Sequence, residues 1–176
     1  MIACCVLFFL VTVCLLSLLI TGGTGFVGSA IVDACQEQHP EWKLTVVDLN
    51  LPSDAKEGVD YVVCDITKEE EIKNAAEKAK PTVVIHTAGI VPPLPVRYTR
   101  KARDRVFAIN VEGTRRVLAA AKAAGAEAFV FTSSCCCVMD DFSYQYANVD
   151  KTWPTSSRSL VYGESKVWRP SKNRCA

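Results

Sequence analysis

The sequence predicts an α/β fold with a doubly wound parallel sheet, and three observations support this prediction. Short apolar runs rich in β-branched residues alternate with helical patterns, and no internal repeat or linker divides the chain. A glycine-rich segment joins the first apolar run to the first helical pattern. The runs are apolar on both faces, as expected of strands that are covered by helices on either side.

Five strands and four helices in strict alternation are expected along the chain. Each strand candidate is short, as strands covered by helices are. The strand candidates are Leu16 to Ile20, Leu44 to Val47, Tyr61 to Val63, Thr82 to His86 and Ala128 to Thr132.

Helical spacing of apolar residues predicts the segments between the strands. A first helix around Val27 ends before Pro40, because proline cannot continue a helix. A second helix is expected to open on a capping box made by Thr67 and Glu70. A long third helix ends at Gly125.

Composition excludes several classes of function. The chain has 176 residues, of which 49% are hydrophobic, so it suffices for one domain with a buried core. A net charge of +1 gives no overall attraction to nucleic acid, and none is expected as a partner. The basic run from Arg97 to Arg105 is interpreted as the solvated face at a helix start rather than a phosphate site.

The nine cysteines show no paired C-x-x-C spacing. Three of them are adjacent, Cys135 to Cys137, and no metal site is expected there because the rest of a ligand set is missing. An intracellular, reducing location is predicted, either cytoplasmic or associated with the endoplasmic-reticulum membrane.

Residues 1–20 form an apolar run without a lysine or arginine. The end of this run is also needed as the first strand, which leaves about fifteen residues of the roughly twenty that a spanning helix requires. A membrane anchor, a mistranslated leader and an extra buried segment all stay open, so membrane association through residues 1–20 is neither predicted nor excluded.

The glycine-rich segment from Thr21 to Gly28 satisfies G-x-G-x-x-G, through Gly23, Gly25 and Gly28, and G-x-x-G-x-x-G, through Gly22, Gly25 and Gly28. Glycines allow a tight turn and a close approach of the backbone to a pyrophosphate. A helix that starts here presents free N–H groups and a partial positive charge to the phosphates. Its position between strand and helix therefore predicts dinucleotide binding, in which Phe26 and Val27 take part at the helix start.

Two aspartates end strands on the same side of the predicted sheet. Asp48 stands twenty residues after Gly28, where a carboxylate can accept hydrogen bonds from ribose hydroxyls. It would repel a 2′-phosphate, and residues 49–52 contain no basic side chain, so NAD is predicted and NADP is less favoured. For Asp65 the spacing leaves a cofactor contact and a plain turn residue equally open.

Near the end of the chain, Tyr162 and Lys166 lie four residues apart, on one face of a helix. A nearby ammonium group favours the phenolate, so the lysine is expected to lower the pKa of the tyrosine. Ser133 and Ser134 follow the fifth strand, at the edge where such sheets hold ligands. His86, at the end of an apolar strand, is interpreted as a core histidine whose ring nitrogens have partners.

Together these motifs closely resemble the extended short-chain dehydrogenase/reductase family, in its 3β-hydroxysteroid dehydrogenase and sterol C-3 dehydrogenase (C-4 decarboxylase) branch. The resemblance runs from about residue 16 to 166. The segments that carry it are residues 21–28, Asp48, Asp65-Ile66, His86 to Gly89, Asn110 to Thr114, Thr132 to Ser134 and Tyr162 to Lys166.

The resemblance implies an NAD(P)-binding Rossmann fold and a role for each matching residue. The expected reaction is the oxidation of a secondary alcohol of a sterol, steroid or terpenoid, a small-molecule substrate. The resemblance implies that Gly22, Gly25 and Gly28 contact the pyrophosphate, Asp48 the adenosine ribose, and Asp65 and Ile66 the adenine, while Ala88 lies along the cofactor. It implies that Tyr162 is the catalytic acid/base and that Ser134 forms a hydrogen bond with the substrate oxygen. Lys166 is implied to bind the nicotinamide ribose and lower the pKa of Tyr162, and Asn110 to support an active-site water and the lysine.

Three regions are expected: an apolar leader (1–15), a cofactor-binding Rossmann domain (16–167) and a divergent tail (168–176). By comparison with the family, a C-terminal substrate domain is expected to be missing, and Pro170 is expected to break the helix that carries Tyr162 and Lys166. A truncated, catalytically inactive nucleotide-binding remnant and a sugar-nucleotide epimerase or dehydratase are the alternatives. Neither the identity of the substrate nor the oligomeric state follows from the sequence.

Overall fold

A computed structural model describes residues 15–97, 99–138 and 160–167. The predicted leader, apart from Leu15, and the predicted tail with Pro170 lie outside these residues. Among the helices of this described part, none is long and apolar enough to cross a membrane.

Five parallel strands form one sheet in the order β3-β2-β1-β4-β5. Each predicted strand is confirmed to within about two residues at either end. The strands are β1 (Ser17–Thr21), β2 (Lys43–Asp48), β3 (Val59–Val63), β4 (Val83–His86) and β5 (Ala128–Phe131).

Helices cover both faces of the sheet, which confirms the doubly wound architecture. The helices are α1 (Phe26–Gln38), α2 (Glu69–Ala79), α3 (Leu94–Arg97), α4 (Arg103–Phe107), α5 (Thr114–Ala123) and α6 (Val161–Lys166), with a π-helical segment (Ala108–Gly113) between α4 and α5 and a 3₁₀ turn (Cys135–Cys137) after β5.

The core consists of two apolar layers, one on each face of the sheet. Leu18 and Ile20 of β1 pack on the α1 side with Val32, whereas Leu19 packs on the other side with Ile72 of α2. This alternation along β1 follows from the two-residue period of a strand. All of these side chains are buried, so the central strand anchors both layers.

The edge strands depart from the expectation that every strand is apolar and covered on both faces. Val63 of β3 is 59% exposed, and Val130 of β5 is 50% exposed. Both strands have only one neighbour in the described sheet, so less of their surface is covered.

Two further expectations about the connections are wrong. Strands β2 and β3 are joined without a helix, through residues 49–58, which contain Pro52 and end at Gly58 in the left-handed region (φ 77°). The capping box of Thr67 and Glu70 does not form, because the Thr67 hydroxyl donates to Asp65 Oδ1 (2.7 Å) and α2 begins later, at Glu69.

Candidate active site

The glycine-rich loop follows β1 and lies against the ends of β2 and β4. The Gly22 N–H donates to the Val47 carbonyl (2.8 Å), and Gly22 has a φ of 72°, which disfavours any residue with a side chain. A Cβ at Gly22 would also lie 2.6 Å from the Ala88 backbone nitrogen. The structure therefore places Ala88, after β4, directly against this loop.

Gly28 lets helix α1 approach the loop closely. A Cβ at Gly28 would overlap the Gly22 carbonyl oxygen and lie 2.6 Å from Gly23 Cα. These are backbone atoms, which cannot move aside without displacing the turn. The start of α1 therefore packs directly on the glycine-rich turn.

Helix α1 starts without a protein cap. Gly25 is its N-cap, no side chain caps the helix, and the first turn contains no acidic residue. The first N–H groups of an α-helix have no partner within the helix, so those of Phe26, Val27 and Gly28 point out of its N-terminus. The Phe26 side chain is 93% exposed there. This end of α1 carries a partial positive charge that suits an anionic ligand.

Asp48 ties the glycine-rich loop to the end of β2. Its Oδ2 accepts hydrogen bonds from the Thr24 N–H (3.1 Å) and the Thr24 hydroxyl (2.6 Å), and its Oδ1 accepts one from the Leu49 N–H (2.7 Å). Thr24 is a residue that the sequence reasoning did not single out, although it stands inside the glycine motif. Asp48 thus lies beside the loop.

Asp65 and Ile66 follow β3 and are oriented by their own neighbours. Asp65 Oδ1 accepts hydrogen bonds from the Thr67 hydroxyl (2.7 Å) and the Thr67 N–H (2.8 Å), and these bonds hold the pKa of the Asp65 carboxyl below its ordinary value. The Ile66 side chain is only 7% exposed and packs where a Cβ of Gly113 would stand. Any contact of Ile66 with a cofactor is therefore left to its backbone.

His86 is a buried histidine with both ring nitrogens in hydrogen bonds, as interpreted from the sequence. The Thr114 hydroxyl donates to the Asn110 carbonyl (2.6 Å), so it can only accept from His86 Nε2 (2.8 Å). The proton is therefore on Nε2, and Nδ1 accepts from the Thr21 hydroxyl (2.5 Å). Burial, aided by the charge of Lys166, lowers the pKa of His86 from 6.5 to about 3.

Asn110 lies in the π-helical segment and is 1% exposed. Its amide nitrogen donates to the Ile90 carbonyl (2.9 Å) and to Ser165 Oγ (2.9 Å), and its Oδ1 accepts from the Ile90 N–H (2.8 Å). Asn110 therefore joins the segment after β4 to helix α6. A Cβ at Gly89 would lie 3.2 Å from Asn110 Oδ1 and 3.0 Å from Lys166 Nζ, which places the amide near the lysine.

Ser134, Tyr162 and Lys166 come together at the carboxyl end of β5. The Ser134 and Tyr162 side chains form a hydrogen bond. The Ser133 hydroxyl donates to the Lys166 carbonyl (2.9 Å), and this bond holds α6 against the segment after β5. Lys166 is 4% exposed, and its Nζ donates to the Thr132 carbonyl (3.4 Å).

The expected lowering of the Tyr162 pKa by Lys166 is not found. Burial raises the pKa of Tyr162 above its ordinary value, and the hydrogen bond from Ser134 opposes that rise. Lys166 Nζ lies 6.0 Å from the centre of the Tyr162 ring and is engaged by Thr132. Burial also lowers the pKa of Lys166. In this arrangement Ser134, rather than the lysine, favours the phenolate.

The other sequence candidates lie outside this chemistry. No cluster of potential metal ligands is found in the described part of the chain, and Cys135 to Cys137 are free thiols. In the basic run, Arg100 forms two hydrogen bonds to the Glu164 carboxylate (2.9 and 3.0 Å), so it braces helix α6. Arg103 begins α4, as a helix start predicts.

Comparison with known proteins decides the family. Residues 18–169 match the family described as the NAD dependent epimerase/dehydratase family. The chain belongs to this family. The implied branch is supported as well, because several curated relatives are 3β-hydroxysteroid dehydrogenases and sterol C-3 dehydrogenases.

Two curated relatives and two solved structures show what this chain resembles. A 3-beta-hydroxysteroid dehydrogenase of Mycolicibacterium neoaurum is 36% identical over 152 residues, which are 85% of this chain and 40% of the relative. A decarboxylating sterol-4-alpha-carboxylate 3-dehydrogenase of Candida albicans is 28% identical over 160 residues, 86% of this chain and 43% of the relative.

Among solved structures, an NAD-bound short-chain dehydrogenase/reductase superfamily protein from Agrobacterium tumefaciens is 32% identical, with a TM-score of 0.69 over 85% of this chain and 41% of that one. An NAD complex of Thermus thermophilus UDP-glucose 4-epimerase is 26% identical, with a TM-score of 0.70 over 85% and 47%. The chain thus spans about two fifths of the length of the curated relatives that it matches.

Proposed function

We propose that this chain carries the cofactor-binding and catalytic half of an NAD-dependent dehydrogenase, which oxidises a secondary alcohol of a sterol, steroid or terpenoid to a ketone. The observation that carries this proposal is the meeting of Ser134, Tyr162 and Lys166 at the carboxyl end of the sheet. The glycine-rich loop and Asp48 lie at the same edge, because parallel strands all end there. The curated relatives supply the class of substrate.

The loop fits a dinucleotide. A Cβ at Gly22 or Gly28 would fill the turn with side-chain atoms, and the N-terminus of α1 presents uncapped N–H groups. Both oxygens of Asp48 already accept hydrogen bonds, yet each carboxylate oxygen has further accepting capacity for a ribose hydroxyl. The residues that would hold NAD are Gly22, Gly25, Phe26, Val27 and Gly28 at the pyrophosphate, Asp48 at the adenosine ribose, Asp65 and the Ile66 backbone at the adenine, Ala88 along the cofactor, and Tyr162 and Lys166 at the nicotinamide end.

NAD, when bound, supplies the hydride acceptor. In the proposed step Ser134 forms a hydrogen bond with the substrate oxygen, and the phenolate oxygen of Tyr162 takes the substrate's hydroxyl proton and becomes a phenol. The Ser134 hydrogen bond already favours the phenolate in this structure. Lys166 Nζ lies 6.0 Å from the centre of the Tyr162 ring, and Asn110 fixes the helix that carries both residues.

The first experiment measures NAD binding to the purified full chain by isothermal titration calorimetry. Asp48→Ala removes the carboxylate at the loop, and Asp54→Ala removes an exposed carboxylate that follows the same strand as the matched control. We expect saturable binding by the wild type and by the control, and its loss in Asp48→Ala. Thermal melts of all three proteins check that they fold. No binding by a folded wild type at millimolar NAD would refute the proposal.

The second experiment measures turnover by the appearance of NADH absorbance with a panel of 3β-hydroxysteroids. Tyr162→Phe should lower kcat by about 100-fold or more, because loss of a positioned acid or base costs that much. Tyr61→Phe, a change in strand β3 far from Ser134, is the matched control and should keep the rate. Saturable NAD binding without any turnover would instead support the catalytically inactive remnant.

A sugar-nucleotide epimerase is the second candidate, and the structural similarity to UDP-glucose 4-epimerase favours it. An epimerase returns the hydride to its substrate, so it produces no net NADH. Incubation with UDP-glucose, followed by chromatography for its epimer, separates the two activities. Epimer formation without steroid oxidation would overturn the dehydrogenase proposal.

A further inference from the structure

A chain of buried hydrogen bonds leads from the middle of the sheet to the helix that carries Tyr162. Each member of this chain is at most 4% exposed, and a buried polar group is costly to leave without its hydrogen bond. The members are Thr21, the last residue of β1, His86, the last residue of β4, Thr114, the first residue of α5, Asn110 in the π-helical segment, and Ser165 in α6.

The first three bonds of this chain all run in one direction. The Thr21 hydroxyl donates to His86 Nδ1, and His86 Nε2 donates to the Thr114 hydroxyl (2.8 Å). The Thr114 hydroxyl in turn donates to the Asn110 carbonyl (2.6 Å). Because the His86 N–H already points at the Thr114 oxygen, the hydroxyl proton is directed to Asn110 and not back to the ring. His86 therefore orients Thr114.

Thr114 in turn holds the backbone at Asn110. In a continuous α-helix the Thr114 N–H would donate to the Asn110 carbonyl, whereas here it donates to the Val111 carbonyl. The Thr114 hydroxyl takes the place of that N–H at the Asn110 carbonyl. π-Helical turns of this kind are frequent at functional sites. Thr114 thus stabilises the irregular turn that carries the Asn110 amide.

The chain ends on the backbone of the tyrosine. The Asn110 amide donates to Ser165 Oγ (2.9 Å), and the Ser165 hydroxyl donates to the Tyr162 carbonyl (2.7 Å). Helix α6 has only six residues, and so short a helix has little stability of its own. Its position therefore depends on tertiary contacts such as the buried bond from Asn110.

We propose that His86 and Thr114 are positioning residues for the proton transfer, which act through Asn110 and Ser165 to hold Tyr162 in place. Both are buried, at 0% and 3% exposure, so they act through other residues and not on the substrate itself. A displacement of the tyrosine by about 1 Å would cost on the order of 100-fold in rate. The effect on turnover rests on the proposed function, whereas the effect on the position of Asn110 does not.

The test removes the Thr114 hydroxyl from the full chain and measures steroid oxidation at a temperature where thermal melts show every variant to be folded. Thr114→Val keeps the size and branching of the side chain, and Thr114→Ser keeps the hydroxyl. Thr45→Val is the matched control, because Thr45 is 3% exposed and its hydroxyl has no hydrogen-bond partner within the described part of the chain.

Thr114→Val should lower kcat by about 10- to 100-fold and change the KM for NAD much less, because most of the proposed NAD contacts lie on the glycine-rich loop. Thr114→Ser should restore most of kcat, and Thr45→Val should keep the wild-type value. Equal losses of kcat in Thr114→Val and Thr114→Ser would show that the hydroxyl is not responsible and would overturn the proposal.

Ser165→Ala breaks the last link of the same chain and replaces one small side chain by another, so it serves even if Thr114→Val does not fold. It should also lower kcat, and an unchanged kcat would contradict the proposal. If both hydroxyls act through one chain, the double variant Thr114→Val/Ser165→Ala should lose little more kcat than the more affected single variant. Losses that multiply would show that the two residues act separately, which is the result expected of unconnected structural effects.

Hydrogen exchange gives a readout that does not depend on activity. The Ile90 N–H donates to Asn110 Oδ1 (2.8 Å), so its exchange rate reports whether the Asn110 amide is in place. In Thr114→Val this rate should rise by a larger factor than the rates of the amides in the central strand β1, whereas a general loss of stability raises all of them equally. Equal factors would count against positioning. Where the wild type binds NAD without turnover, the proposed function fails and hydrogen exchange alone decides.

Discussion

His86 makes the stability of this fold depend on pH, and the direction follows from its buried hydrogen bonds. The folded state holds the ring neutral, with a pKa of about 3, whereas the ordinary value is 6.5. Between these two values the unfolded chain binds a proton that the folded chain does not. The contribution of His86 is therefore fully present above pH 6.5 and is lost as the pH falls toward 3.

The size of the effect follows from proton linkage. One proton bound only by the unfolded state changes the unfolding free energy by about 1.4 kcal/mol per pH unit. At pH 4.5 the loss amounts to roughly 2.7 kcal/mol, which is a large fraction of the stability of an ordinary domain. His86→Gln removes this titration and also disturbs two buried hydrogen bonds, which costs about 1–2 kcal/mol at neutral pH.

Urea denaturation at half-unit steps from pH 7.5 to 4 measures both quantities. The wild type should be more stable than His86→Gln at pH 7.5, and the two curves should cross between about pH 6 and pH 5, where the loss from His86 exceeds the cost of the substitution, because the carboxylates titrate equally in both proteins. His39→Gln removes the other histidine of the chain and is the control. If the unfolding free energies of the wild type and His86→Gln stayed parallel down to pH 4, the assignment of a neutral buried ring would be refuted.

Three further variants test the packing of the site. Gly28→Ala should destabilise the protein by about 1–3 kcal/mol and weaken NAD binding in calorimetry, because its Cβ meets backbone; unchanged stability would contradict the close approach. Asn110→Ala removes the partners of Ile90 and should cost about 2–3 kcal/mol in urea denaturation, and a loss below about 0.5 kcal/mol would count against this role. Arg100→Gln breaks an ion pair that is exposed at the arginine and should leave the midpoint of urea denaturation almost unchanged, yet increase proteolysis near Glu164; unaltered cleavage would argue against the brace.

The sequence predicts the strands well because the central strands of a parallel sheet are continuous apolar runs, which polar neighbours do not interrupt. Leu18 to Ile20 and Val46 with Val47 are buried, as their patterns indicate. The prediction of cover on both faces is wrong at Val63 and Val130, because it takes no account of where a strand stands in the sheet. Strand order is a tertiary property that local periodicity does not contain.

The candidate site, too, has features that the sequence predicts and features that depend on the tertiary structure. Gly22 and Gly28 could be predicted, because a positive φ or a close backbone approach demands glycine wherever it occurs. The sequence does not exclude the capping box at Thr67. The Thr67 hydroxyl is taken by Asp65 Oδ1 instead, and this contact depends on the backbone turn between the two residues in the folded protein. Nor does any local signal reveal that Thr24 binds Asp48 or that His86 carries its proton on Nε2. These depend on side chains that are distant in sequence.

The central position of β1 also sets an order of events during synthesis. Leu18 pairs with Val83, which is translated 65 residues later, and Gly22 rests against Ala88. Until β4 has left the ribosome, the first strand has a neighbour on one side only, and the glycine-rich loop lacks one of its supports. Bringing Leu18 and Val83 together costs conformational entropy of the chain between them, and this cost comes before the strand contacts can stabilise the pair. The nascent chain thus exposes the apolar edge of β1 for seconds, which is the interval in which a chaperone would find it.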